Sequence, residues 1–242
     1  MAARLGLALL LVAGLHSCIR YEYEHELWLD VDGSGRVNVT GRPDLWAVFK
    51  GLGVEGDEDT LRQRARDLFE RSGLRVRKVD VTYRGGRAYL FVAATFDDVN
   101  KLGGTPAFPD LRIALRGEDG RLRLQGAWQR PDSPAAAAAA ARAGDDGNVA
   151  VRFHLPSKVY MHENAADGVE RGNIVSWRQD ARTALRGGEP RGFGALIDRR
   201  SIFYSTVGLF AGAVALALAL LGVMVYIVRR KGQRATVSGR AG

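Results

Sequence analysis

The sequence has one cysteine, Cys18, in 242 residues. A disulfide within the chain is therefore excluded, as is every metal or redox motif that needs two thiols. No phosphate-binding loop, dinucleotide-binding glycine pattern or Gly-x-Ser-x-Gly elbow occurs, so the chain carries no signature of nucleotide or serine-hydrolase chemistry. His162-Glu163 has no second histidine at the helical spacing a zinc site requires. Acidic residues are missing altogether from 202–242. The formal net charge is +8, from 35 Lys and Arg against 27 Asp and Glu. Six of those basic residues lie outside 19–201, which leaves that region nearly neutral and without a basic stripe for nucleic acid. No catalytic residue, metal ligand or cofactor site is read from this inventory, and the expectation is a protein that is not an enzyme.

What the chain does have is an apolar run near each end. Arg4 precedes Leu5–Leu15, the right length for the apolar part of an export signal and too short to span a bilayer as a helix. The run ends in Leu15-His16-Ser17-Cys18, close to a bacterial lipobox, with an aliphatic residue at −3 and the cysteine to be acylated. Residues 1–18 thus read as a signal peptide and Cys18 as a lipidation site; an uncleaved signal anchor is the alternative. From Ile202 to Val228 no residue is charged. At 1.5 Å per residue such a helix is about 40 Å long, more than the ~30 Å hydrocarbon core. Residues 202–228 read as one transmembrane helix. Arg229, Arg230, Lys231 and Arg234 follow, so 229–242 reads as a cytoplasmic basic tail, with the main domain outside a cell membrane. Gly208 and Gly212 have the spacing that lets two helices approach closely, a pattern also common in plain anchors.

Between the runs, 19–184 reads as one exported α+β domain: an antiparallel sheet of hairpins with one long amphipathic helix. Tyr21, Tyr23, His25, Leu27, Leu29 and Val31 alternate with mostly polar residues, the period of a strand. Asp32-Gly33-Ser34-Gly35 turns the chain into Val37–Thr40. Asp30, Asp32, Ser34 and Gly35 also fit half of a calcium loop, but Gly41 stands where a bidentate Glu is required, so a hairpin turn is the better reading. The helix is expected from Asp57 to Ser72, with Leu61, Ala65, Leu68 and Phe69 on one stripe and Gly73 beyond its end. Strands are expected over 74–83, with a bulge near Lys78, and over 87–96, 111–116, 121–128, 149–155 and 173–178. The Pro/Ala/Gly-rich stretch 131–148 reads as an insertion or loop, and 185–201 as a link to the membrane.

His25, His154 and His162 are scattered among these strands and loops, and no shared metal site is expected of them. Trp28, Trp46, Trp128 and Trp177 read first as core residues, with an apolar cleft between helix and sheet as the functional alternative. Phe153-His154-Leu155-Pro156, the turn-rich Asn164–Asn173 and the strand Ile174-Val175-Ser176-Trp177 follow one another in a layout that resembles the LppM-domain family of bacterial envelope lipoproteins. The resemblance implies an envelope domain engaging lipid or glycolipid at the membrane surface, and it carries over no catalytic residue. An interaction protein contacting other envelope proteins is the alternative.

Overall fold

The computed structural model describes residues 21–199 and the helix 202–238, the side chains of that helix from 206 to 226. Cys18, the rest of the signal segment and the last four residues of the tail lie outside the described residues. The architecture is α+β. Strands β1 (Tyr21–Leu29) and β2 (Gly35–Gly41) form the first hairpin. Helices α1 (Pro43–Lys50) and α2 (Glu58–Arg71) follow, then the hairpin β3 (Arg75–Arg84) and β4 (Arg87–Phe96). A short 3-10 turn, Val99–Lys101, leads to a third hairpin, β5 (Leu111–Glu118) and β6 (Arg121–Trp128). Helix α3 (Pro134–Ala140) precedes β7 (Asn148–His154), β8 (Val159–Glu163), β9 (Val169–Glu170) and β10 (Ile174–Asp180). Helix α4 (Ala181–Arg186), β11 (Arg191–Asp198) and α5 (Ile202–Ser238) complete the chain order.

Local chemistry explains the elements that were legible. Asp57 caps α2 by accepting from the Thr60 amide at 2.8 Å, Glu58 and Asp59 occupy its first turn and Arg71 its last. Gly73, at φ +79°, turns the chain out of the helix. Leu61, Ala65, Leu68 and Phe69 are the buried stripe. The bulge falls between Val76 and Lys78.

Several expectations are corrected. The described residues form two sheets: seven strands in the order β3-β4-β2-β1-β7-β10-β9, and four in the order β5-β6-β11-β8. Pairing is antiparallel except for β1 with β7, which run parallel in the middle of the large sheet. Hairpin reasoning pairs only neighbours in sequence, so this long-range contact was invisible to it. In place of one long amphipathic helix, the described domain before α5 has four helices, of which α2 is the longest. Residues 134–140 are helical rather than loop: Ser133 caps them, accepting from the Ala136 amide at 3.1 Å, Pro134 sits at the first position, and alanine is the strongest helix former. Ala136 is buried, and α3 packs on α1. The stretch read as a link holds α4 and β11, a central strand of the small sheet. Phe193, Ala195 and Ile197 are its alternating buried face.

One face of the large sheet makes the core. Its β1–β2–β4 half packs on the helices, with Trp46 of α1 in edge contact with Tyr23 at 6.2 Å and tilted against Phe69 of α2 at 6.0 Å. Its β7–β10 half packs on the small sheet, where Phe193 lies 5.4 Å from Phe153 and 5.2 Å from Trp177.

Candidate functional site

The opposite face of the large sheet carries the candidate site. Because Tyr23, His25, Leu27 and Leu29 point into the core, Glu24, Glu26 and Trp28 project from the outer face of β1. The register brings Arg36 of β2 to one side of Trp28 and His154 of β7 to the other. The His154 and Trp28 rings are stacked, with centroids 4.5 Å apart and planes 12° apart. The Arg36 guanidinium carbon lies 4.3 Å from the indole centroid. Glu26 fixes His154 through a 2.7 Å contact between Oε1 and Nε2. Trp28 is thus a pillar whose two flanks hold a cation and an imidazole.

An open groove of 660 Å³ runs over this pillar, lined among others by Asp30, Arg36, Arg75, Arg77 and Asn173. A second groove of 480 Å³ shares Trp28, Arg36 and Arg77 and extends over Asn38, Ala93 and Thr95. Arg75 is neutralised by Asp97, with nitrogens 2.7 and 3.1 Å from its carboxylate oxygens. Among the described residues, Arg36 and Arg77 are exposed and have no carboxylate within ion-pairing distance. A planar guanidinium presents paired N–H donors that match phosphate or carboxylate oxygens, so two uncompensated ones over one groove favour an anionic group.

The groove opens at the C-terminal ends of β1 and β7. From His154 the chain runs three residues to Ser157, whose Oγ donates to the Asp198 carbonyl at 2.5 Å. The Asp198 amide donates to the Lys158 carbonyl at 3.2 Å. Asp198 ends β11, and α5 begins at Ile202. The groove therefore lies at the end of the domain from which the apolar helix leaves.

Farther along β1, Glu24 is largely buried beside Arg152, 3.6 Å away, and its Oε1 has no hydrogen-bond partner. Burial, with Glu26 alongside, pushes its carboxyl up to about 7 against the pull of Arg152.

A second constellation is closed. Asp110 accepts from Lys50 Nζ at 2.7 Å, from Trp128 Nε1 at 3.1 Å and from the Tyr23 hydroxyl at 3.5 Å. His25 Nε2 lies 3.4 Å from the same carboxylate and 3.2 Å from the Tyr23 hydroxyl. Both members of the ion pair are fully buried. Burial pushes Lys50 down to about 8 and Asp110 upward, each opposed by the attraction of its partner. Burial and the nearby Lys50 lower the His25 imidazole well below its ordinary range, which keeps it neutral. None of these five residues lines either groove over Trp28. Their position joins β1, α1, the approach to β5 and the end of β6, and the cluster is an internal tie between the layers.

The other residues singled out in the sequence fall elsewhere. Asp32 is used within its own turn, accepting from the Ser34 amide at 2.9 Å and its hydroxyl at 2.7 Å. His25, His154 and His162 are not brought together, and no group of three or more His, Cys, Asp or Glu could hold a metal among the described residues. Trp46, Trp128 and Trp177 are buried in the core, so the apolar cleft considered for them is filled; Trp28 alone of the four reaches the outer face. Arg36 and Arg77 were missed, although Arg36 alternates with Val37 and Val39 and is thereby marked as outward.

No protein-family model and no curated protein matches this chain. Among solved structures, the chain is similar to the NMR structure of the folded domain of Mycobacterium tuberculosis LppM, at 13% identity and a TM-score of 0.40, over 76% of this chain and 95% of that one. The likeness is one of outline and assigns no family.

Proposed function

We propose that this protein is a membrane-anchored, non-enzymatic binding domain of the cell envelope that holds the anionic headgroup of a lipid or glycolipid in the Trp28–Arg36–Arg77 groove. In this reading the domain faces outward, Cys18 is acylated after export, α5 crosses the membrane and the basic tail stays in the cytoplasm. The observation that carries it is the pair of uncompensated guanidiniums on a groove at the helix-bearing end of the domain.

The helix supports the membrane part. Thr206–Tyr226 has a mean hydropathy of 2.5, and none of it is buried against the domain. Leu209 is 79% exposed and Phe210 71%. Exposing such surface to water costs about 25 cal/mol per Å², and a lipid interior removes that cost. The groove supports binding, because its two unpaired guanidiniums offer paired donors to an anionic group. It favours a charged headgroup over an acyl chain, because its lining carries Arg36, Arg75 and Arg77 against the carboxylates Asp30 and Asp97, the last of them paired with Arg75.

The test is co-purification of lipid with the full chain, followed by mass spectrometry, for the wild type and an Arg36→Glu/Arg77→Glu variant. Anionic lipid enriched with the wild type and lost with the variant is expected. Equal lipid recovery, or recovery of a stable protein partner alone after delipidation, would count against the reading.

A further inference from the structure

We infer that a second surface, the bulged edge strand β8 with Lys158 and Arg121 beside it, seats directly on the anionic headgroup layer of the membrane that α5 crosses. The inference rests on the membrane reading of α5 and is independent of what the groove binds.

The reach of the chain limits where the domain can sit. Three residues separate Asp198 from Ile202. Four backbone steps cover at most about 14 Å, and the four residues of helix before Thr206 add about 6 Å. The end of β11 is therefore within about 20 Å of the hydrocarbon, in a domain whose diameter by chain-length scaling is about 40 Å. Asp198 thus stays within the membrane-facing half of the domain, and whatever is bonded to it shares that position.

What is bonded to it is β8. The Tyr160 hydroxyl donates to Asp198 Oδ2 at 3.1 Å, beside the backbone bond from Asp198 to Lys158. β8 is the edge of the four-stranded sheet, and its register with β11 shifts so that Met161 faces Leu196 while Val159 faces Ile197. Tyr160 is the extra residue of that bulge. A regular strand would send Tyr160 and Met161 to opposite faces, whereas the bulge leaves both exposed, at 47% and 48%. An exposed tyrosine next to an exposed methionine on a sheet edge is costly in water and suited to an interface.

Charge favours the same seat. The Arg121 guanidinium lies 4.3 Å from the Tyr160 ring centroid and the Lys158 ammonium 5.7 Å from it. Among the described residues neither cation has a carboxylate within ion-pairing distance, and Arg199 beyond them is exposed. The acids nearby are Asp198, taken up with Tyr160, Glu118 and Glu163, both taken up with Arg123, and Asp119 in the turn. An amphipathic ring flanked by basic side chains is the composition that settles at the headgroup level, and the cations favour anionic lipid.

The experiment uses the full chain with Cys18→Ser, so that an introduced cysteine is unique, reconstituted in nanodiscs of phosphatidylcholine with or without phosphatidylglycerol. An environment-sensitive fluorophore is attached at Met161→Cys or, as a control, at Thr82→Cys, which is exposed near the opposite end of the large sheet. Lipids carrying a nitroxide at the headgroup are the quencher. Quenching several-fold stronger at 161 than at 82, larger with phosphatidylglycerol and reduced by Lys158→Glu/Arg121→Glu, is expected. Equal quenching at the two positions in protein that remains disc-bound after alkaline washing overturns the seating while leaving the span intact. Quenching indifferent to phosphatidylglycerol and to the charge reversals overturns anionic lipid as the occupant. Loss of the protein from the discs on washing overturns the span and the seating with it.

Discussion

The two sides of β1 use almost the same chemistry to opposite ends. Inward, Tyr23 and His25 meet Lys50, Asp110 and Trp128, and the charges are matched within the cluster. Outward, Glu26 and Trp28 meet His154 and Arg36, and the cations Arg36 and Arg77 are left over. The difference follows from solvent. A buried charge without a partner costs several kcal/mol, so an interior cluster must close on itself. A surface guanidinium is hydrated and can wait for a ligand. Residue types alone therefore do not mark a site; the surplus of unmatched, accessible charge does.

The largest expected effect comes from breaking the closed side. Asp110→Ala leaves Lys50 and His25 in the interior without their acceptor and is expected to cost about 3–5 kcal/mol. The measurement is urea unfolding of the full chain in a mild detergent. Replacing both partners, Lys50→Met with Asp110→Leu, removes the unpaired charge but leaves the Trp128 indole N–H without its acceptor, so it is expected to recover only part of that loss. If the double variant is as unstable as Asp110→Ala, the cluster is not held by its charge pairing.

Glu24 lies between the two regimes, on the outer face yet mostly buried. Its carboxyl is raised from 4.5 to about 7, so the folded protein holds this proton more tightly than the unfolded chain does. The resulting stability is fully present below the unfolded value and is lost as pH rises through about 7. Glu24→Gln is therefore expected to be the more stable protein above about pH 8, by an amount on the order of 1–3 kcal/mol, with the gap closing below about pH 4. Unfolding curves at three pH values decide it, and a gap independent of pH would show that Arg152 keeps Glu24 ionised throughout.

This division was only half legible in the sequence. The alternation of β1, the capped helix α2 and the three tight hairpins are written in short-range patterns, and all of them formed. That same alternation already separated His25 from Trp28. The parallel β1–β7 pairing is not local, and without it His154 cannot be brought to Trp28. Lys50 reads as an ordinary basic residue at the end of a helix, and Asp110 as part of a loop after Pro109. Each becomes buried only when the two sheets close on α1. Arg77 sits at the bulge, where alternation stops being a guide to direction.

On the open side the effect should appear in binding rather than in stability. Arg36→Glu with Arg77→Glu is expected to lower stability by no more than about 1 kcal/mol, the cation–π contact of Arg36 with Trp28, since neither guanidinium has a carboxylate partner among the described residues to lose. Each charged hydrogen bond to an anionic group contributes about 1.5–3 kcal/mol. Losing such bonds should reduce anionic-lipid binding by roughly tenfold or more, read by titrating detergent-solubilised protein with short-chain phosphatidylglycerol. A fall in stability of about 3 kcal/mol or more together with binding would mean that the two arginines are held in the fold like the buried cluster.

The smallest effect tests the pillar itself. Trp28 contributes a cation–π contact to Arg36 and a stack to His154, each worth about 0.5–1.5 kcal/mol at a partly exposed site. Trp28→Leu keeps an apolar side chain at the same place on the strand but provides no ring face. It should lower stability by only about 1 kcal/mol. Arg36 would keep its charge and lose its orientation, so headgroup affinity should fall by a few-fold, less than on reversing the charges. Its salt dependence should be preserved, because the same cations remain. That combination distinguishes an orienting role from direct ligand contact. If Trp28→Leu weakens binding as much as the double arginine variant does, the ring itself touches the ligand. If it changes nothing, Arg36 is held in place by the strand register alone.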